Sequence, residues 1–242
     1  MEIRICENPD ALGKSAAQFV AEQLRKIIKE NGCARIALST GASQFDTIKH
    51  LVLQDVDWSK VEMFHLDEYV DLPITHPASF RKYLKERFVD KVSTLKAAHF
   101  VDGTKEGIAR LTEEITAAPI DIGLIGIGEN THIAFNDPPA DFDTQQSYII
   151  VNLDEACRRQ QLGEGWFPTI DDVPRQAVSM TVSQIMKCKK IVSCVPYAVK
   201  ANAIMKTITT KETTNLVPAT KLKEHSDFVL YLDIDSAKEV LV

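Results

Sequence analysis

The chain has 242 residues, 45% of them hydrophobic and 26% charged, with a formal net charge of -6; these are ordinary globular values at a length that can bury a full core. The acidic balance gives no support for a nucleic-acid or anionic-membrane partner, so an anionic ligand would have to be held by local cations and backbone N–H groups. Five cysteines without a Cys-x-x-Cys pair offer neither a disulfide framework nor a zinc site, and no signal-peptide core or run of about 18 apolar residues occurs, so a soluble, cytoplasmic chain with reduced thiols is expected.

Ile3 and Ile5 alternate with polar residues and suggest a short opening strand. Asn8-Pro9 reads as a helix cap and first turn, Leu12, Ala16, Val20, Leu24 and Ile28 recur at helical spacing, and Asn31-Gly32 supplies the stop. Ala34 to Leu38 predicts a strand, followed by the small-residue loop Ser39-Thr40-Gly41-Ala42-Ser43 and a helix through Phe45, Ile48, Leu51 and Val52. Val61 to Leu66 predicts a strand that stops at Asp67-Glu68-Tyr69. Pro77 could start a helix bearing Phe80, Leu84 and Phe88, and His99 to Val101 suggests a short strand. Ile108, Leu111 and Ile115 mark a further helix.

Ile120 to Pro138 begins as a buried strand, breaks into closely spaced glycines, and then delivers His132 and Asp137. Tyr148 to Val151 is a β-branched run, and Leu162 to Pro174 has the composition of a long loop: either a lid carrying Trp166 or a packed surface segment. Ile191 to Val195 and Phe228 to Leu232 predict strands, with Lys200 opening a helix through Ala203 and Ile204 between them. Strands alternating with helices, without repeat or linker, point to one α/β domain over residues 1–242 built on a mostly parallel sheet.

Four polar clusters follow predicted strands: 39–43, 67–69, 130–137 and the segment at Lys200. In a parallel sheet all four lie on the carboxyl edge, where such folds bind ligands. Ser39 to Ser43 lacks the lysine of a Walker loop, yet small residues opening a helix let backbone N–H groups approach a phosphate, with Lys200 as a point-charge partner. The same residues would equally serve as a capping turn. Asp67 is a candidate general base or a cap of the next segment. His132 can carry a proton near neutral pH, and Asp137 could orient its ring.

These residues resemble one family, the glucosamine-6-phosphate deaminases, also called isomerases. The resemblance runs over nearly the whole chain and rests on Leu-Ser-Thr-Gly-Ala-Ser at 38–43, Asp-Glu-Tyr-Val-Asp-Leu-Pro at 67–73 with His76 to Phe80, and Gly-Ile-Gly-Glu-Asn-Thr-His-Ile-Ala-Phe-Asn-Asp-Pro at 126–138. It implies a Rossmann-like open, mostly parallel sheet with helices on both faces, of the ribose-phosphate-isomerase and CoA-transferase kind. It also implies a reaction without metal or cofactor, in which glucosamine 6-phosphate and water give fructose 6-phosphate and ammonia. Asp67 would move the C2 proton, with Glu68 beside it as a further substrate contact. His132 would assist ring opening, supported by Asn130 and Asp137, and the phosphate would sit on Ser39, Thr40, Gly41, Ala42 and Ser43 with Lys200.

Three departures from the family pattern bear on that expectation. Asn130-Thr131-His132 stands where the family usually has Asp-Gly-His, and Asp137 where it has Glu. Gln161 falls on the position of a phosphate-binding Arg, so Arg158 or Arg159 would take over. The rival readings are a 6-phosphogluconolactonase, a family with Asp-Glu-Arg where this chain has Asp67-Glu68-Tyr69, a deaminase of another hexosamine 6-phosphate, and a sugar-phosphate-binding regulator. A pure binder has no need of a base at Asp67, which favours an enzyme. Monomer and homo-oligomer both remain open.

Overall fold

The first strand and helix show how local chemistry sets the boundaries. In the computed structural model, which describes residues 1–163 and 165–241 (Ala156 by its backbone alone), β1 (Glu2–Cys6) leads into α1 (Pro9–Asn31). The Asn8 side chain accepts from the Ala11 N–H at 2.9 Å, Pro9 takes the first-turn position where no N–H is needed, and Gly32 at φ 80 donates back to the Ile28 carbonyl. Leu12, Ala16, Val20 and Leu24 form the buried stripe, as the spacing predicts.

The chain continues through β2 (Ala34–Leu38), α2 (Phe45–Leu51), β3 (Val61–His65), β4 (Asp67–Tyr69), α3 (Phe80–Leu84), β5 (Ala97–His99), α4 (Lys105–Thr116) and β6 (Ile122–Leu124). There follow β7 (Tyr148–Asn152), α5 (Glu155–Gly163), β8 (Gln176–Met180), α6 (Val182–Ile185), β9 (Lys190–Val195), α7 (Ala201–Thr209), β10 (Phe228–Asp233) and α8 (Ile234–Ala237). Seven strands form one parallel sheet in the order β1-β10-β9-β6-β2-β3-β5. Alternate side chains go to opposite faces. Ile36 and Leu38 of β2 pack with the α1 stripe, while Ala37 joins Leu111 and Ile115 of α4 and Ala203 and Ile204 of α7. The fold is therefore α/β with an apolar core on each face of the sheet.

From β2 the chain steps outward to β3 and β5, then returns to the other side of β2 as β6 and proceeds to β9 and β10. That reversal places the crevice of an open α/β sheet at the carboxyl ends of β2 and β6. Residues 39–43 and 126–137 leave from those two ends.

Several expectations need correction. The strand from Val61 does not simply stop at Asp67. Asp67 to Tyr69 form β4, which pairs antiparallel with β8 in a second sheet of order β4-β8-β7. β8 carries no strict alternation and was not expected. The strand expected at His99–Val101 lies at Ala97–His99. Ser79, rather than Pro77, caps α3, accepting from the Lys82 N–H, and the helix widens into a π-turn over Lys85–Val89. The stretch 162–174 is not one loop, since α5 extends to Gly163 and Ile170–Asp172 form a short 3-10 turn. Among the described residues no helix is long and apolar enough to cross a membrane.

Candidate active site

A cavity of about 260 Å³ opens at the switch point. Its lining comes from residues 39–44, Asp67, Phe80, residues 126–129, His132, Ala134, Phe135, Gln160, Gln161, Tyr197, Val199 and Lys200. Ser39 to Ser43 lie on it as the sequence suggested. Gly41 sits at φ 91 and ψ 171, a backbone state essentially confined to glycine. Its carbonyl accepts from Gln44 N–H at 3.0 Å and from the Tyr83 hydroxyl at 3.2 Å, so the turn is fixed from behind. Among the described residues the buried Ser39 hydroxyl has no hydrogen-bond partner, which leaves it available to a ligand. Lys200 closes a 3-10 turn ahead of α7 and is 8% exposed. Its Nζ lies 4.0 Å from Oε1 of Glu129. Among the described residues, Lys200 is the only Lys or Arg in the lining.

Asp67 is buried at the cavity wall. Burial, with a smaller contribution from the neighbouring Glu68 charge, pushes its carboxyl up to about 8, so proton exchange near neutral pH is within its reach. Glu68 does not contact the cavity, contrary to its expected role. Alternation along β4 turns it the other way, where it is fully buried. There its carboxylate accepts from the Ser79 hydroxyl at 2.7 Å, the Arg81 N–H at 2.9 Å and Arg81 Nε at 3.2 Å, and from the Tyr69 and Phe80 N–H groups. Glu68 is the anion that satisfies the start of α3.

His132 lines the cavity, and its Nδ1 is 3.2 Å from Oδ1 of Asp137. Asn130 stands behind this pair. Its amide donates to the same Asp137 oxygen at 2.8 Å, and its own oxygen accepts the His132 N–H at 3.1 Å. Burial tends to raise the Asp137 carboxyl, but the close approach of His132, with Asn130 and Cys157 adding to it, holds it below the usual range. Gly128 makes the ring's position possible, because a Cβ there would lie 2.2 Å from Cε1 and Nε2 of His132. Thr131 and Ala134 flank the histidine at φ 73 and φ 49; for β-branched Thr131 this is an outlying conformation. Asn136 anchors the loop to the second sheet, donating to the Ile133 and Met180 carbonyls at 2.8 Å each.

The family model described as glucosamine-6-phosphate isomerases/6-phosphogluconolactonase matches residues 7–230. The chain belongs to this family. It is 35% identical over 237 residues to a glucosamine-6-phosphate deaminase of Staphylococcus epidermidis, covering 93% of this chain and 96% of that one. It is 32% identical over 246 residues to a glucosamine-6-phosphate deaminase of Lacticaseibacillus paracasei, covering 99% of both. Among solved structures, a monomeric glucosamine-6-phosphate deaminase superposes with a TM-score of 0.86 at 26% identity, over 99% of this chain and 100% of that one. A 6-phosphogluconolactonase from Shewanella baltica shares the fold at a TM-score of 0.77 and 18% identity, over 96% and 97%.

Against that family the two arginines expected to hold phosphate need a second correction. Arg158 is turned away, its guanidinium donating to the Val173 and Ile170 carbonyls, and Arg159 pairs with Glu155 on the surface of α5. Neither lines the cavity; the next turn brings Gln160 and Gln161 there instead. The sequence reading also passed over Glu129, a half-exposed acid in the lining, although its place between Gly128 and His132 was a signal. Among the described residues no group of three His, Cys, Asp or Glu side chains is disposed to hold a metal ion.

Proposed function

We propose that this chain is a glucosamine-6-phosphate deaminase, releasing ammonia from the amino sugar and yielding fructose 6-phosphate. The observation that carries the reading is the placement of Asp67, with its raised carboxyl, in one cavity with His132 and the 39–43 turn. Near-full-length similarity to relatives of that name supports it.

The phosphate is held by the N–H groups and hydroxyls of residues 39–43, the turn that leads into α2, and by Lys200. His132 opens the ring, taking the proton of the anomeric hydroxyl as the ring oxygen is protonated. Asp137 orients the imidazole, and Asn130 orients Asp137. In its ionised form Asp67 takes the C2 proton, giving a 2-amino enol, and returns it to C1. The resulting C2 imine is hydrolysed by water, with loss of ammonia. A substrate ammonium entering the cavity favours ionisation of Asp67.

The test is ammonia release from glucosamine, galactosamine and mannosamine 6-phosphates, with 6-phosphogluconolactone hydrolysis measured alongside. Release from glucosamine 6-phosphate alone is expected. Lactone hydrolysis without ammonia release would replace this reading with the lactonase one.

A further inference from the structure

Gln161 sits in the last turn of α5, lines the cavity and is 5% exposed. The Tyr69 hydroxyl donates to its Oε1 at 2.7 Å in a buried setting. The Tyr69 ring is itself fixed, with Phe80, Phe135 and Phe167 at centroid distances of 5.2, 5.3 and 5.6 Å. Tyr69 and Asp67 are two residues apart on β4 and so share a face of that strand. An amide whose oxygen is engaged has its plane set, and its two N–H donors then face the opposite way. No described residue accepts from the Gln161 Nε2. The arginines one turn and half a turn earlier are directed elsewhere, so the helix offers the cavity a neutral donor rather than a charge.

We infer that Gln161 is a substrate-binding residue that donates from Nε2 to an oxygen of the bound sugar phosphate, and that Tyr69 is a positioning residue that sets the amide's orientation. This rests on the sugar-phosphate reading of the cavity. A sugar phosphate offers two kinds of acceptor, a phosphate oxygen and a hydroxyl, and a neutral amide reads either. A fixed donor facing a missing acceptor is left unpaired, so the pair also selects against ligands without an oxygen at that point.

The deciding variants are Gln161→Glu, Gln161→Ala, Tyr69→Phe and the double variant Y69F/Q161A. Gln161→Glu keeps an acceptor for the Tyr69 hydroxyl but removes both N–H donors and adds a negative charge. It is expected to raise KM for glucosamine 6-phosphate by about tenfold or more, with kcat within a fewfold of wild type. Tyr69→Phe is expected to raise KM by roughly threefold to tenfold, and to add nothing once Gln161 is Ala.

If Gln161 only supports Tyr69, Gln161→Glu behaves as wild type while the other variants lose thermal stability at unchanged KM. That result, or additive effects in Y69F/Q161A, overturns the inference. Inhibition by inorganic phosphate separates the two acceptors. Its inhibition constant rises in step with KM when Nε2 meets the phosphate, and stays constant when Nε2 meets a hydroxyl. Should wild type release no ammonia from any of the amino sugars, the deaminase reading falls by itself. Calorimetric titration with glucosamine 6-phosphate then carries the same comparison of variants through Kd.

Discussion

The Asn130 amide nitrogen lies 2.8 Å from Oδ1 of Asp137, the oxygen that also faces Nδ1 of His132 at 3.2 Å. One hydrogen bond from the amide and the close contact of the imidazole therefore converge on one carboxylate oxygen. Restoring an acid at position 130, as in the family pattern, would add charge behind the histidine. In this geometry Asn130→Asp instead sets two carboxylate oxygens at hydrogen-bond distance, forcing one to hold a proton. Asn130→Asp is expected to lower thermal stability and to cut ammonia release about tenfold at neutral pH. Adding Asp137→Asn, which re-creates an amide–carboxylate pair in the opposite sense, should recover much of the stability. An Asn130→Asp enzyme faster than wild type would show that the pair does not constrain the relay.

Asp67 yields a prediction in which activity and stability move apart. Asp67→Asn removes the proposed base and is expected to cost on the order of 10²-fold or more in kcat. Its carboxyl stands at about 8 in the folded chain against roughly 3.9 in an unfolded one. The folded form thus keeps a proton that the unfolded form has lost. The contribution of Asp67 to stability is therefore fully present below about pH 4, declines as pH rises toward 8 and is level beyond, whatever the other carboxylates do. Asp67→Asn lacks this penalty. Its melting temperature should exceed that of wild type at pH 8, by on the order of a few kcal/mol in stability, with the gap closing toward pH 4. Melting curves across that range check it, and a gap that does not vary with pH would place the Asp67 carboxyl near its ordinary value.

How much of this was visible in the sequence depends on the scale of the interaction. The parallel sheet was legible because each of its central strands is a short apolar run between turn residues. Ala34–Leu38 matches its predicted bounds. The second sheet was not legible, since β4 is three residues long and owes its existence to β8, more than a hundred residues away. Within the site, Asp67, His132, Lys200 and residues 39–43 were legible because each follows a strand to the sheet's carboxyl edge. Glu68 and the α5 arginines were misread for one reason. Their facing is set by strand alternation and helix phase, which a motif's composition does not encode.

The buried role of Glu68 gives a stability prediction. Its side chain has no exposed surface and pairs with Arg81, itself 16% exposed. Glu68→Ala strips a largely desolvated guanidinium of its anion, along with the N–H groups that begin α3. A loss of about 3–5 kcal/mol is expected, read from the denaturant midpoint. KM of the remaining folded fraction should be unchanged. A large KM effect at preserved stability would return Glu68 to the substrate.

The cations should divide sharply. Arg159→Ala breaks an exposed i,i+4 pair with Glu155 and is expected to shift stability by no more than about 0.5 kcal/mol and KM by less than about twofold. Lys200→Ala removes the charge-assisted contact to phosphate proposed above and should raise KM by roughly tenfold or more. Steady-state kinetics at fixed ionic strength make the comparison. Equal effects of the two changes would undo the assignment of phosphate to the Lys200 side of the cavity.

Gly128 is the most economical probe of how closely the histidine must be held. Its φ is not one that demands glycine, so a substitution tests space alone. A Cβ there meets Cε1 and Nε2 of His132 at 2.2 Å and Nδ1 at 2.5 Å, contacts that no relaxed structure sustains. Gly128→Ala therefore displaces the ring and draws Nδ1 off Asp137. A misplacement of about 1 Å is enough to cost on the order of 10²-fold in rate. The expected result is a fall in kcat of that size, with the inhibition constant for inorganic phosphate nearly unchanged because residues 39–43 and Lys200 are untouched. The same variant separates ring opening from the later steps. Open-chain substrate bypasses the ring opening proposed for His132, so a Gly128→Ala enzyme supplied with more of the open form should regain rate, whereas an enzyme damaged at Asp67 should not.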